Sequence, residues 1–207
     1  MSYVAIREVT PVSGKEAVLQ ERMLRLSSIM ERHGAKSSVF KVVAGDGAGR
    51  FDLMNWYDTA EAGATAFEAF GADEDFQKVM HLRAVDPVGE VVGPWIGRMV
   101  FGNAPKGSKP VVVHRDYHTP RSAVQKALEL APELQNLMES LGVEVGIGMP
   151  IMKDDHEMLR IVYRFDSMVH WGQSVDKMVT DERFLGIVNA AHEAATLKSS
   201  RMLVKVE

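Results

Sequence analysis

Six arginines stand in β-rich stretches of this 207-residue chain: Arg7, Arg98, Arg115, Arg160, Arg164 and Arg201. A guanidinium offers donors in a fixed planar fork, so a cluster of them suits an anionic or carbonyl-rich small molecule. Arg160 and Arg164 flank Val162, and alternation along a strand puts all three on one face. The opposite set, Leu159, Ile161, Tyr163 and Phe165, is continuously apolar and is expected to face helices. Trp56, Met54 and Tyr117 are the expected apolar walls beside the arginines. A second reading is a filled interface, in which the same arginines pair with Glu8, Asp52, Asp116 or Glu144.

Histidine and carboxylate side chains raise the question of metal. His114, Asp116 and His118 alternate along one short run and would project to one side about 7 Å apart. Such a set suits zinc, iron or copper. No HExxH-like or glutamate-rich partner motif accompanies it, so a strand end with solvated polar groups is the preferred reading, and no cofactor is assigned.

Other chemistries are excluded by composition and motif. The absence of cysteine removes disulfides, thiol catalysis and thiolate metal sites. No GxSxG elbow, GxxxxGK[ST] loop or GxGxxG fingerprint follows a strand. The net charge of −4 gives no electrostatic reason for a nucleic-acid partner. The first residues lack the basic and apolar regions of a signal peptide, and no run approaches the roughly 20 apolar residues of a membrane span. A soluble cytoplasmic protein without membrane partners is therefore expected. The 13 methionines are scattered and read as core filler.

The elements that must position these residues appear twice. Shifting the chain by 108 positions aligns Arg7 with Arg115, Gly34 with Gly142, Asp58 with Asp166, and Asp73 with Asp181. The matches fall at helix ends and turns, in one order. Arg98-Met99 matches Arg201-Met202 at an offset of 103, which implies a shorter loop in the second half. Each half reads β-α-β-β-α-β. The first half has strands at 4–9, 37–44, 51–57 and 97–101, and the second has strands at 111–117, 143–152, 158–165 and 201–206. Helices are expected at 15–33 and 61–70 and, after Asp73, through Leu82. Their counterparts lie at 121–141 and 168–179 and, after Asp181, through about Ala195. Pro132 should kink or divide the first of these near Leu130. The expected domains are 1–104 and 111–207, with the Pro/Gly/Lys/Ser segment 105–110 as linker. By the repeat offset, Asp52, Met54 and Trp56 share the face of Arg160, Val162 and Arg164. Arg7 and Arg115 are placed on the same inner face, and Arg98 and Arg201 at matching points of the closing strands.

This order is the split βαβ, ferredoxin-like unit, which leaves one sheet face bare for a second such face to cover. The chain thus resembles the dimeric α+β barrel superfamily, in the subset with two ferredoxin-like repeats fused. That superfamily includes NIPSNAP-type proteins, cofactor-free monooxygenases of aromatic polyketides, haem-degrading enzymes and chlorite-dismutase-like haem proteins. The resemblance implies an intramolecular barrel with any ligand site between the sheets. A cofactor-free oxygenase or isomerase is one function it implies; a non-catalytic binding or structural protein with a filled barrel is another. Haem is the third, with His170 or His192 as axial ligand beside Trp171. Against the haem-degrading branch, neither first strand offers an asparagine; Asn55-Trp56 and His81 lie elsewhere. Fusion supplies internally the pairing that single-repeat relatives obtain by dimerising. A homodimer of this chain, favoured over a monomer, would use helices or sheet edges.

Overall fold

The computed structural model describes residues 2–104 and 109–207. The first half runs β1 (Tyr3–Pro11), α1 (Glu16–Arg32), β2 (Lys36–Gly45), β3 (Phe51–Tyr57), α2 (Ala60–Gly71), α3 (Glu74–Val85) and β4 (Gly89–Phe101). The second runs β5 (Val111–His118), a 3₁₀ turn (Arg121–Ala123), α4 (Val124–Glu129), α5 (Ala131–Glu139), β6 (Glu144–Met152), β7 (Met158–Phe165), α6 (Met168–Met178), α7 (Glu182–His192) and β8 (Thr196–Lys205). Of the expected linker, residues 105–108 lie outside the described residues; Lys109 pairs with Asp166 at 2.6 Å.

All strand pairings are antiparallel, and the eight strands close in the order β1-β3-β2-β8-β5-β7-β6-β4. Each half contributes the ferredoxin-like order, β4-β1-β3-β2 and β8-β5-β7-β6, and the seams are β2–β8 and β4–β6. Closure leaves no free sheet edge in the barrel.

The helices start where polar caps allow. Thr59 and Ser167 accept from the backbone N–H of Ala62 and His170, and Asp73 and Asp181 each accept two N–H groups at the starts of α3 and α7. Gly34, at φ +89°, takes the left-handed conformation that ends α1. Pro132 sits in the first turn of α5, where its missing N–H costs nothing, so the long helix breaks at Leu130 as expected.

Three apolar layers result. Leu19, Met23 and Met30 of α1 pack on Val39, Phe51 and Leu53 outside the first half. Leu134, Leu137 and Met138 of α5 pack on Val145, Tyr163 and Phe165 outside the second. Val4, Ile6, Phe40, Met54, Trp56, Val112, Val162 and Leu203 fill the barrel between them.

Candidate functional site

The barrel interior has two unlike ends. One end is filled by charge. Arg160 donates from Nε and Nη2 to the two carboxylate oxygens of Asp116, both at 2.6 Å. Arg201 donates to Glu8 at 2.9 Å and lies 3.0 Å from Asp52 without aligning a hydrogen bond to it. Trp95 closes this end, with Arg160 4.5 Å and Lys153 4.9 Å from its ring centroid. Burial pushes the Asp52 carboxyl up to about 6, against the pull of Arg201. Burial also opposes ionisation of Glu8 and Asp116, but Arg201 and Arg160 respectively outweigh it and hold both carboxyls below their ordinary values. Here the filled-interface reading is correct.

The other end opens into a cavity of about 450 Å³. Met54, Trp56, Phe40, Val112 and Val162 form its apolar walls, and His114 and Arg164 also line it. Both halves of the chain therefore contribute. Arg164 is 3% exposed and lies 6.0 Å from the Trp56 ring centroid. Its Nη2 is buried without a hydrogen-bond partner among the described residues. Burial brings the guanidinium down to about 10, partly offset by the charge of Glu144, so it stays cationic at neutral pH. The imidazole of His114 is fully enclosed, and its Nδ1 has no partner. Burial first, then the charges of Arg160, Arg201, Arg164 and Lys153, hold it well below its ordinary value, so it is neutral. Gly146 makes room for this arrangement. A Cβ there would stand 2.5 Å from Met99 Cε and 3.5 Å from Arg164 Nη1.

The expected inner face is right for Asp52, Met54, Trp56, Arg160, Arg164 and Arg201. It is wrong for Arg7, Arg98, Arg115 and Tyr117. On β1 the inward set is Val4, Ile6 and Glu8, which pair in register with Trp56, Met54 and Asp52. Arg7 points the other way, half-buried near Tyr57 and Arg83 under the helices. On β5 the inward set is Val112, His114, Asp116 and His118. Arg115 lies 5.7 Å from the Tyr163 ring centroid on the outer face, and Tyr117 lines a crevice beneath α4 and α5. The alternation was sound but its phase was inverted. An arginine can lay its stem along an outer sheet face and carry its head to the rim, so its presence does not mark the interior.

Arg98 fails for a different reason. It pairs in register with Tyr3 on the outer face, while Trp95 faces Ile6 and Arg201 faces His114. Structurally Arg201 is thus the counterpart of Trp95, at an offset of 106, and the sequence match at 103 is fortuitous. Register shifts in β4 between Ile96/Gly97 and Met99/Phe101 accompany the difference, and one residue of slip exchanges the faces.

The trio weighed as metal ligands does share one face of β5 but is otherwise committed, and His114 is buried rather than solvated. Asp116 belongs to Arg160, and His118 stands 3.9 Å from Asp155 and 3.8 Å from Glu157 at the strand end. Among the described residues no group of three or more His, Asp or Glu side chains is placed to hold a metal ion. His170 accepts from the backbone N–H of Asp166 at Nδ1 and donates from Nε2 to the Leu141 carbonyl, and His192 is exposed at the end of α7. Neither faces the barrel cavity, and His170 could bind haem iron only by giving up one of these bonds. Asn55 and Trp56 point to opposite faces: Asn55 accepts from Ser37 and contacts Met30 under the helices. His81 is exposed on α3.

Ser38 and Phe40 of β2 were missed as cavity residues. The repeat offset pairs them with Gly146 and Gly148, whose lack of side chains was the available signal.

No family model and no curated protein matches the sequence. Solved structures do match its fold. A proposed monooxygenase from Lactobacillus acidophilus superposes with a TM-score of 0.67 at 12% identity, covering 99% of this chain and 93% of that one. An anthrone oxidase-like protein gives 0.64 at 13% identity, with 99% and 92% covered. A proposed chlorite dismutase gives 0.64 at 10% identity, with 100% and 95% covered. The chain therefore has the tandem ferredoxin-like α+β barrel fold of these proteins. None of the described helices is long and apolar enough to cross a membrane.

Proposed function

We propose that this chain binds a small aromatic or carbonyl-bearing molecule in the cavity between Trp56 and Arg164, and that any chemistry it performs takes place there. The observation that supports this is the contrast between the two barrel ends. Where Arg160 and Arg201 are matched with carboxylates, the interior is closed. Where Arg164 forms no ion pair among the described residues, it opens into about 450 Å³, within the size range of small-molecule sites. A cation fixed in a low-dielectric wall polarises a carbonyl or holds an oxyanion without reorganising solvent. That is the contribution an oxygenase or isomerase working without a cofactor would need from the chain, in keeping with the monooxygenase-like names among its fold neighbours.

Titration with the neutral fluorescent probe N-phenyl-1-naphthylamine tests the cavity itself. Ser38 is a half-buried cavity residue, and Ser38→Phe should fill the space and weaken binding at least tenfold. Arg115→Gln, on the outer face, should leave it unchanged. A probe that does not bind the unmodified protein, or binds the Phe variant equally well, would refute the reading.

A further inference from the structure

Three arginines are buried in the barrel interior, and they are not treated alike. Arg160 has Asp116, and Arg201 has Glu8 with Asp52 close by. Arg164 has no ion-pair partner among the described residues, whereas a nitrogen without a hydrogen-bond partner is common to all three: Arg160 Nη1, Arg164 Nη2 and Arg201 Nε. A buried cation that no ion pair neutralises is costly, and the charge of Glu144 offsets only part of the burial of Arg164. Inside the barrel, the space in which a counter-charge could stand is the cavity that Arg164 lines.

The surroundings restrict what that charge is attached to. Trp56 lies against the guanidinium, and Met54 and Val162 continue an apolar wall, which suits a flat unsaturated body. His114 and Arg164 both face inward and are diagonal neighbours across β5 and β7, since His114 stands opposite Val162 and Val112 opposite Arg164. Diagonal positions lie about 7–8 Å apart, roughly the span between substituents at opposite ends of a fused aromatic ring. At the mouth Lys36, Lys109 and Lys205 stand with Glu31, and Asp58 and Asp166 pair with Lys36 and Lys109, so the charges there balance and the selection for charge falls to Arg164 inside.

We infer that the ligand is a monoanionic aromatic acid whose carboxylate docks on Arg164, whose ring lies against Trp56 and whose distal polar substituent reaches His114. This rests on the cavity being a ligand site. His114, as a neutral imidazole, adds a hydrogen-bonding group and no competing charge.

The probes are 2-naphthoate, 6-hydroxy-2-naphthoate and the neutral isostere 2-naphthamide, titrated by calorimetry against the unmodified protein and against Arg164→Met and Arg164→Lys. The acid should bind the unmodified protein at least tenfold more tightly than the amide. That preference should shrink to within about twofold in Arg164→Met and persist, weakened, in Arg164→Lys. The 6-hydroxyl should add a further few-fold, lost in His114→Phe. Equal binding of acid and amide would overturn the inference while leaving the cavity reading intact. An undiminished preference in Arg164→Met would overturn it too. If N-phenyl-1-naphthylamine and all three naphthyl probes fail to bind, the cavity reading itself falls. The acid–amide comparison on the unmodified protein decides the charge even if a variant does not fold.

Discussion

Asp52→Asn should make the protein more stable at neutral pH, and the gain should vanish in acid. Asp52 is fully enclosed, and burial raises its carboxyl from 3.8 to about 6 in the folded chain. The folded state therefore holds this proton more tightly than the unfolded state. The stability it contributes is complete below the unfolded value and is lost as pH rises through about 6. A separation of about two pH units corresponds to about 3 kcal/mol, of which about 0.5 is already lost at pH 4, so about 2.5 separates pH 4 from pH 8. Asparagine keeps the shape and never ionises, and Arg201 keeps its hydrogen bond to Glu8. Subtracting the unmodified protein's stability from that of the variant at each pH cancels the steric cost of the change. Urea denaturation at pH 4, 6 and 8 measures the difference. With an m-value of about 2 kcal/mol/M, the relative midpoints should move by about 1 M in favour of the variant between pH 4 and pH 8. Parallel pH profiles would show that Arg201 compensates Asp52 fully, and that this end of the barrel is not strained by its third carboxylate.

Asp116→Asn should do the opposite. It removes the partner that Arg160 grips with Nε and Nη2, so a loss of about 3–5 kcal/mol is expected near pH 7, seen as a fall in Tm of roughly 10 °C. The chain should also run as a homodimer, twice its 22.9 kDa, using Ile151 and Met152, which are exposed on β6. Light scattering that returns the single-chain mass at every concentration, or a mass unmoved by Met152→Glu, would exclude that surface.

The fold was legible because its signals are local. Polar caps at Thr59, Asp73, Ser167 and Asp181, the stop at Gly34 and the break before Pro132 bound the elements, and all but the Pro132 break have a counterpart in the other half, where α1 runs unbroken. Strand phase was less legible. In Met158–Phe165 the two faces differ so much in polarity that the inward set declares itself. On β1 both faces carry an arginine or a glutamate among apolar residues, and only the pairing of Ile6 with Met54 fixes which is inside. Composition cannot supply that, because a barrel interior that hosts ion pairs is no more apolar than the outer face it opposes. The closing strands hid their register for a second reason: the slips around Gly97 and Val100 are invisible to an ungapped comparison.

The cavity follows from how the two repeats have diverged at equivalent inward positions. Glu8 corresponds to Asp116, Asp52 to Arg160, Trp56 to Arg164, and Phe40 to Gly148. At one end the second repeat neutralises itself, Asp116 with Arg160, while the first carries two carboxylates and depends on Arg201 from β8 to reach across the β2–β8 seam. The two halves are thus held together by a charge that neither can balance alone. At the other end the corresponding pair is Trp56 and Arg164, a ring and a cation that meet at 6.0 Å. A cation against a ring face gains about 2 kcal/mol when desolvated, well short of what a buried guanidinium loses on leaving water. Two copies of one unit closed face to face would give two equivalent ends to each such pair. Replacing one member by tryptophan and the other by arginine instead sets a ring and a cation side by side at one end, so the two halves line the cavity with unlike groups.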